Sequence, residues 1–139
     1  MADWERAPDV ATVSAEQVAY LRRHWEDGWN QGDVDLIVEP FASDVVFSSP
    51  FVPRILGDPS ITEIRGFDAV RQYIADSLVR STQGIRYRAD RVDACTMSVA
   101  ITYTVLHPAG ERLGLDVMRL NADGKVDDWR CHYPFDGYA

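Results

Sequence analysis

The sequence predicts an α+β domain in which helices cover one face of a curled antiparallel sheet and leave an apolar pocket between the layers. Three observations predict it. Apolar residues recur at helical spacing only in the N-terminal half, the period then changes to alternation, and the last four alternating runs are joined by turn signals. Because all three expected helices precede the main run of strands, they can pack only on one side of the sheet.

Residues 1–13 carry charge and Pro8 without periodicity and read as an arm, leaving residues 14–139 as one domain. Ser14 with Gln17 three residues later forms a capping-box pattern, and Val18, Leu21, Trp25 and Trp29 make one apolar stripe of a first helix running to about Asn30. Gly32 breaks that helix. Asp33 can cap a short second helix, with Val34, Ile37, Val38 and Phe41 on its buried side. Asp44 to Ser49 reads as a strand. The stretch from Pro50 to Gly66 holds three prolines and two glycines, too many for a regular element, and loops of that length are commonly lids or binding segments. Phe67, Val70, Tyr73, Ile74 and Leu78 restore helical spacing for a third helix over 67–80, with Gln83-Gly84 as its stop. Ile85, Tyr87 and Ala89, then Val99, Ile101, Tyr103 and Val105, alternate with other residues as two long strands. Pro108-Ala109-Gly110 turns the chain, and strands over 112–121 and 125–133 flank Asp123-Gly124, a hairpin signal.

At 139 residues and 46% hydrophobic, the chain has enough apolar surface for one core without disulfides or metals. Its net charge of −8 repels phosphate backbones and anionic lipid, so neither nucleic acid nor a membrane is an expected partner. No apolar stretch approaches the roughly 20 residues of a membrane span, and the N-terminus, MADWERAPD, is charged where a signal peptide is apolar. A cytoplasmic location is the expectation. Cys95 and Cys131 allow one bridge at most and no metal spacing, and a reduced compartment is expected for them. His24, on the polar shoulder of the first helix, and His107, at the turn, have no second ligand at useful spacing. No metal and no cofactor are expected.

The stripes facing the expected pocket are aromatic: Trp25 and Trp29, Phe47 and Phe51, Tyr73, Tyr103, Trp129 and Tyr133. Such residues fill cores as readily as they line sites. Asp116 is different. With a turn over His107 to Gly110 it lies opposite Ile101 and beside Tyr103, sharing its face with Met118 and Leu120, whereas a turn one residue shorter reverses that facing. A carboxyl on an apolar face has a raised pKa and can serve as a proton donor. The structural alternative is that Asp116 pairs with Arg119 or Arg130, or bonds to Tyr103, and only holds the sheet together. Cys131 is expected to point into the pocket as a small hydrophobe and His132 away from it. Arg86, Arg88 and Arg91 form a basic cluster that reads as a solvated sheet face or a dimer contact.

The stretch from Trp25 to Pro50, with Asn30-Gln31-Gly32-Asp33, Phe41-Ala42-Ser43-Asp44 and Ser49-Pro50, resembles the N-terminal half of bacterial ketosteroid isomerases and SnoaL-like polyketide cyclases. Gly66 with the helix after it, Leu115-Asp116-Val117-Met118-Arg119-Leu120 and Asp123-Gly124-Lys125-Val126 extend the resemblance over about Val18 to Tyr133. It implies the nuclear transport factor 2-like fold, a cone-shaped, cystatin-like α+β barrel, and a homodimer formed through the outer face of the sheet. The isomerase's protonated oxyanion-hole aspartate falls on Asp116. Its base falls on Ser49, which accepts no proton at neutral pH, and its helix-1 tyrosine falls on Trp25, which donates a hydrogen bond but is no acid. Against limonene epoxide hydrolase, Trp129-Arg130 matches while the water-activating aspartate falls on Cys131. A SnoaL-like cyclase needs only one acid/base carboxyl over an apolar cavity, which Asp116 meets. The resemblance therefore implies proton-transfer chemistry on a small, apolar, carbonyl-bearing molecule, with Asp116, Tyr103 and Trp25 as the reacting set and Trp29, Phe47, Ser49, Phe51, Tyr73, Met118, Trp129, Cys131 and Tyr133 shaping the site. The rival expectation, motivated by Ser49, is a binding or dimerisation module of the same fold without chemistry.

Overall fold

The computed structural model describes residues 13–80 and 84–134. The expected arm, apart from Val13, and Gln83 of the expected helix stop lie outside the described residues. Helix α1 (Ala15–Gln31) starts where Ser14 Oγ accepts the Gln17 N–H at 3.1 Å and ends at Gly32, whose φ of 65° is open to glycine at little cost. Asp33 caps α2 (Val34–Val38) by accepting the Leu36 N–H at 3.2 Å. Strand β1 (Phe41–Ser48) follows at once, so Phe41 opens a strand and does not close a helix as its spacing suggested.

The segment expected to be irregular contains two short elements, a correction to the sequence reading. Helix α3 (Val52–Leu56) begins with Pro53 in its first turn, where proline's missing N–H costs nothing, and ends at Gly57 with φ 68°. Strand β2 (Glu63–Arg65) pairs antiparallel with β1, Phe47 opposite Ile64. Then come α4 (Phe67–Arg80), β3 (Arg86–Ala94), β4 (Ser98–His107), β5 (Gly110–Leu120) and β6 (Val126–His132). There are thus four helices among the described residues, not three.

The six strands form one unclosed sheet in the order β2-β1-β6-β5-β4-β3. It is not wholly antiparallel, a second correction: β1 lies parallel to β6, Phe47 opposite Trp129. Hairpin signals specify only strands adjacent in sequence, and nothing local encodes a pairing between the first strand and the last. Register shifts between Ala89 and Arg91 in β3, between Arg119 and Leu120 in β5, and between Phe41 and Val46 in β1 bend the sheet towards its helices.

Helix α1 lies along edge strand β3 and satisfies backbone groups that an edge leaves unpaired. Arg22 Nη2 donates to Ala89 O at 3.0 Å, Glu26 accepts the Ala89 N–H at 2.6 Å, and Asn30 both donates to Tyr87 O and accepts from Tyr87 N at 2.8 Å. These three residues stand four apart, so one helix face makes every bond. His24, expected on the polar shoulder of this helix, is buried, with Nδ1 2.8 Å from Tyr20 O and Nε2 3.0 Å from Glu39 Oε2, tying α1 to the end of α2. Among the described residues, no helix is long and apolar enough to cross a membrane.

Candidate functional site

The inner face of the sheet has a filled end and an open end. At the filled end the β4–β5 register, His107 opposite Gly110 and Ile101 opposite Asp116, is the one that turns Asp116 inward. Its carboxyl is only 2% exposed. The Trp25 indole N–H donates to Oδ2 at 2.9 Å and the Tyr103 hydroxyl donates to Oδ1 at 3.1 Å. Neither arginine of the structural alternative reaches it: Arg119 pairs with Asp127 at 2.9 Å, and Arg130 with Asp128 and Glu63 at 3.0 and 3.2 Å. Burial pushes the Asp116 pKa up, against the pull of hydrogen-bond donors led by Trp25 and followed by the Cys131 thiol, Tyr103 and Trp129. The Trp129 indole N–H nonetheless has no partner of ordinary hydrogen-bond geometry among the described residues. Burial first, and then the neighbouring Asp116, push the Tyr103 hydroxyl and the Cys131 thiol well up as well, so Cys131 is held as a thiol and not as a nucleophilic thiolate.

Gly114 is what lets Tyr103 reach the carboxyl. The two residues are cross-strand partners, and a Cβ built on Gly114 would stand 2.3 Å from Tyr103 Cζ and 2.5 Å from its hydroxyl oxygen. The bare glycine backbone therefore supplies the space in which the ring lies. Trp25 packs on that ring at 4.6 Å between centroids, and Trp129 meets Phe47 at 4.7 Å and Phe41 at 5.3 Å. What remains beside Trp25, Met118 and Trp129 is a void of about 10 Å³, room for a water at most.

At the open end lies a cavity of about 340 Å³, in the range of small-ligand sites. Of the expected site residues, Trp29, Phe47, Ser49, Phe51, Tyr73, Cys131 and Tyr133 line it. Trp25, Tyr103, Asp116, Met118 and Trp129 do not; they form the packed layer behind its inner wall, which Cys131, cross-strand partner of Asp116, separates from the cavity. Phe51 and Tyr133 pack at a tilt with centroids 5.1 Å apart, Phe47 and Tyr73 with centroids 5.2 Å apart. Burial, then Cys131, raises the Tyr73 hydroxyl to about 12, with Ser77 and Arg80 pulling the other way. No carboxylate is among the described residues lining this cavity. The acidic residues of the 50–66 segment are occupied elsewhere: Asp58 accepts from Ser60 N and Oγ, and Glu63 pairs with Arg65 and Arg130. Arg54 lies in α3 and does not line the cavity. No three His, Cys, Asp or Glu side chains among the described residues converge as a metal site requires.

Sequence reasoning missed Ile55, Ser77, Ile85, Tyr87, Val105, His107 and Arg112 in the cavity wall. Two of them had a legible signal. The alternation that turns Asp116 inward also turns Arg112 inward, and the one that runs through Ile101, Tyr103 and Val105 continues to His107.

A family model described as a SnoaL-like domain matches residues 21–129. No curated protein matches the chain significantly. Among solved structures, a SnoaL-like protein of unknown function from Burkholderia thailandensis is 30% identical, with a TM-score of 0.76 over 88% of this chain and 98% of its own. A Kribbella flavida protein provisionally described as a ketosteroid isomerase (18% identity, TM-score 0.65, 86% and 78% covered) shares the fold. So does SalBIII, an epoxide hydrolase/cyclase-like enzyme of pyran ring formation in salinomycin (20% identity, TM-score 0.64, 88% and 94% covered). The fold is the one these neighbours share, and the family match spans most of the chain; the chain belongs to the SnoaL-like family.

Proposed function

We propose that the open-end cavity holds a small, mostly apolar, carbonyl-bearing organic molecule of polyketide-like or steroid-like character. The observation that carries this reading is the cavity itself, aromatic on several sides and large enough for a ligand, in a region where the same fold could have packed shut. On this reading the domain performs proton-transfer chemistry of the isomerase, cyclase or dehydratase kind. Asp116 acts as the proton store one layer behind the wall, steadied by Trp25 and Tyr103, and it meets the ligand where Cys131 yields. Its burial, its raised pKa and its lack of a cationic partner among the described residues support that role.

A second reading, binding without chemistry, is favoured by the lack of any carboxylate among the described lining residues and by Ser49, whose Oγ accepts the Phe51 N–H at 3.2 Å. The two are separated in deuterium oxide with a β,γ-unsaturated ketosteroid and an aromatic polyketide as test compounds, following hydrogen exchange beside the carbonyl by NMR. The enzyme reading expects exchange above background that Asp116→Asn abolishes while binding persists. Compounds that bind but exchange only at the background rate leave the binding reading standing.

We also propose that two copies pair through the outer face of the sheet. Leu113, Leu115 and Val117 alternate away from Asp116 onto that face, and Leu113 is 56% exposed. Sedimentation should give twice the chain mass, falling to one chain mass in Val117→Lys.

A further inference from the structure

Trp129 carries an unexplained group in the filled end. Its ring is fully buried, yet its indole N–H has no partner of ordinary geometry among the described residues, and a buried donor without a bond destabilises a fold. Packing explains the ring, which meets Phe47, Phe41 and Trp29 at centroid distances of 4.7, 5.3 and 6.2 Å. It does not explain the nitrogen, since a phenylalanine would bury no polar atom. Nor does a water supply the partner. The void of about 10 Å³ beside Trp129 has mostly apolar walls, and its other polar side chains are engaged, Trp25 with Asp116 and His24 with Tyr20 O and Glu39. A buried water makes roughly two to four hydrogen bonds and would find only this N–H.

The sheet register supplies a better partner. Asp116 stands opposite Cys131 and Met118 opposite Trp129, so Trp129 is the diagonal neighbour of Asp116 on the inner face, a separation that an aromatic side chain spans. Trp129 also belongs to the donors that pull the Asp116 carboxyl towards its charged form, after Trp25, Cys131 and Tyr103. The other groups facing that carboxyl are accounted for. Trp25 of α1 gives its N–H to Oδ2, Tyr103 of β4 gives its hydroxyl to Oδ1, and the Cys131 thiol of β6 is a weak donor, with Tyr133 beside both Tyr103 and Cys131. The arginines nearest in sequence pair with other carboxylates.

We propose that Trp129 is a positioning residue for Asp116: its N–H stands in reserve while the carboxyl is an acid and bonds to the carboxylate once the proton has passed to the ligand. The inference rests on Asp116 being the proton store and adds what receives the charge. When the proton leaves, the O–H electron pair stays with the carboxyl, which becomes an anion in a layer closed to water. An acid carries hydrogen on one oxygen, and Trp25 and Tyr103 already take up an acceptor site on each. A carboxylate offers about four such sites and has room for a third strong donor. A donor already in place meets the new charge without rearranging the core, and a charge-assisted bond is about twice as strong as a neutral one.

The test labels the full chain with carbon-13 at the aspartate carboxyls and follows Asp116 by NMR against pH, its signal assigned with Asp116→Asn. The variant is Trp129→3-benzothienylalanine, which keeps the shape of the ring and has sulfur in place of the N–H. Asp116 of the variant should hold its proton about tenfold more tightly than that of the wild type, the loss of one bond to a charged group. At low pH, where the carboxyl is an acid and the N–H idle, the two should unfold at the same urea concentration. An unchanged titration midpoint overturns the role of Trp129 and leaves Asp116 the proton store. A carboxyl already ionised in the ordinary aspartate range removes the store, and this inference with it. One that keeps its proton to the alkaline limit of the fold also overturns the inference, because no carboxylate forms for the N–H to meet. Should the variant fail to fold, the wild type answers the same question: the Trp129 indole proton, assigned with Trp129→Phe, must move downfield in step with the Asp116 carboxyl, and one that stays in place across that titration overturns the proposal.

Discussion

The filled end and the open end of the inner sheet face are made from the same kinds of residue, on the same strands, a few residues apart. On β6, Trp129 is fully buried and Cys131 forms cavity wall; on β4, Tyr103 is buried against Trp25 while Val105 and His107 face empty space. The difference lies in what stands over them. At the filled end α1 brings Trp25 and Leu21 down onto the sheet and β1 adds Phe41, so large rings interlock. At the open end the covering is Trp29, partly exposed, with the short α3 and the C-terminal half of α4 standing around the gap. Apolar character alone does not say whether a surface becomes core or cavity; the distance to the opposite layer does.

Paired truncations should break or sharpen that contrast. The largest effect is expected from Trp129→Ala, which removes a fully buried ring from close packing and should cost about 3–5 kcal/mol in urea unfolding. Phe51→Ala, at the cavity wall, should cost about 1 kcal/mol or less while weakening ligand binding. Equal costs would mean that the cavity is as tightly packed as the core. Gly114→Ala comes next. Its Cβ must displace the Tyr103 ring, and a cost of about 1–3 kcal/mol is expected, with the Tyr103–Asp116 bond lost and the open-end cavity unaffected. A crystal structure with Tyr103 unmoved would contradict the role given to this glycine.

The smallest effect depends on pH. A carboxyl whose folded pKa is raised binds its proton more tightly in the folded state, so its contribution is greatest below its ordinary value of 3.8 and declines as pH rises towards the folded value. The stability of wild type relative to Asp116→Asn should therefore fall with rising pH above about 4, by no more than about 1.4 kcal/mol per pH unit. A difference that grows with pH would show a carboxylate stabilised in the fold, and would remove the proton store from the filled end.

Much of this arrangement was legible in the residues. Ser14, Gly32 and Asp33 set the limits of α1 and the start of α2 because capping is a local interaction. The inward facing of Asp116 followed from period-two alternation once the turn was taken as His107 to Gly110, and Ile101 does stand opposite it. Other features were hidden for identifiable reasons. Phe41 has the right spacing for a helix stripe, and its entry into β1 is decided by pairing with Val126 of β6, far along the chain. His24 looks solvated beside Arg22 and Arg23 until α2 brings Glu39 across. Glu63–Arg65, among prolines and glycines, is a strand only because β1 offers an edge.

By itself the sequence determined the identities of the long elements, the antiparallel run from β3 to β6, and the inward facing of Asp116, because caps, turns and alternation act over a few residues. Tertiary structure alone decided that β1 joins β6 in parallel, that Trp25, Tyr103 and Trp129 close over Asp116, and that the hollow opens beside Cys131 and not above the carboxyl. Those outcomes depend on how far a bent sheet stands from the helices above it, and that distance is set by every register shift and ring contact together.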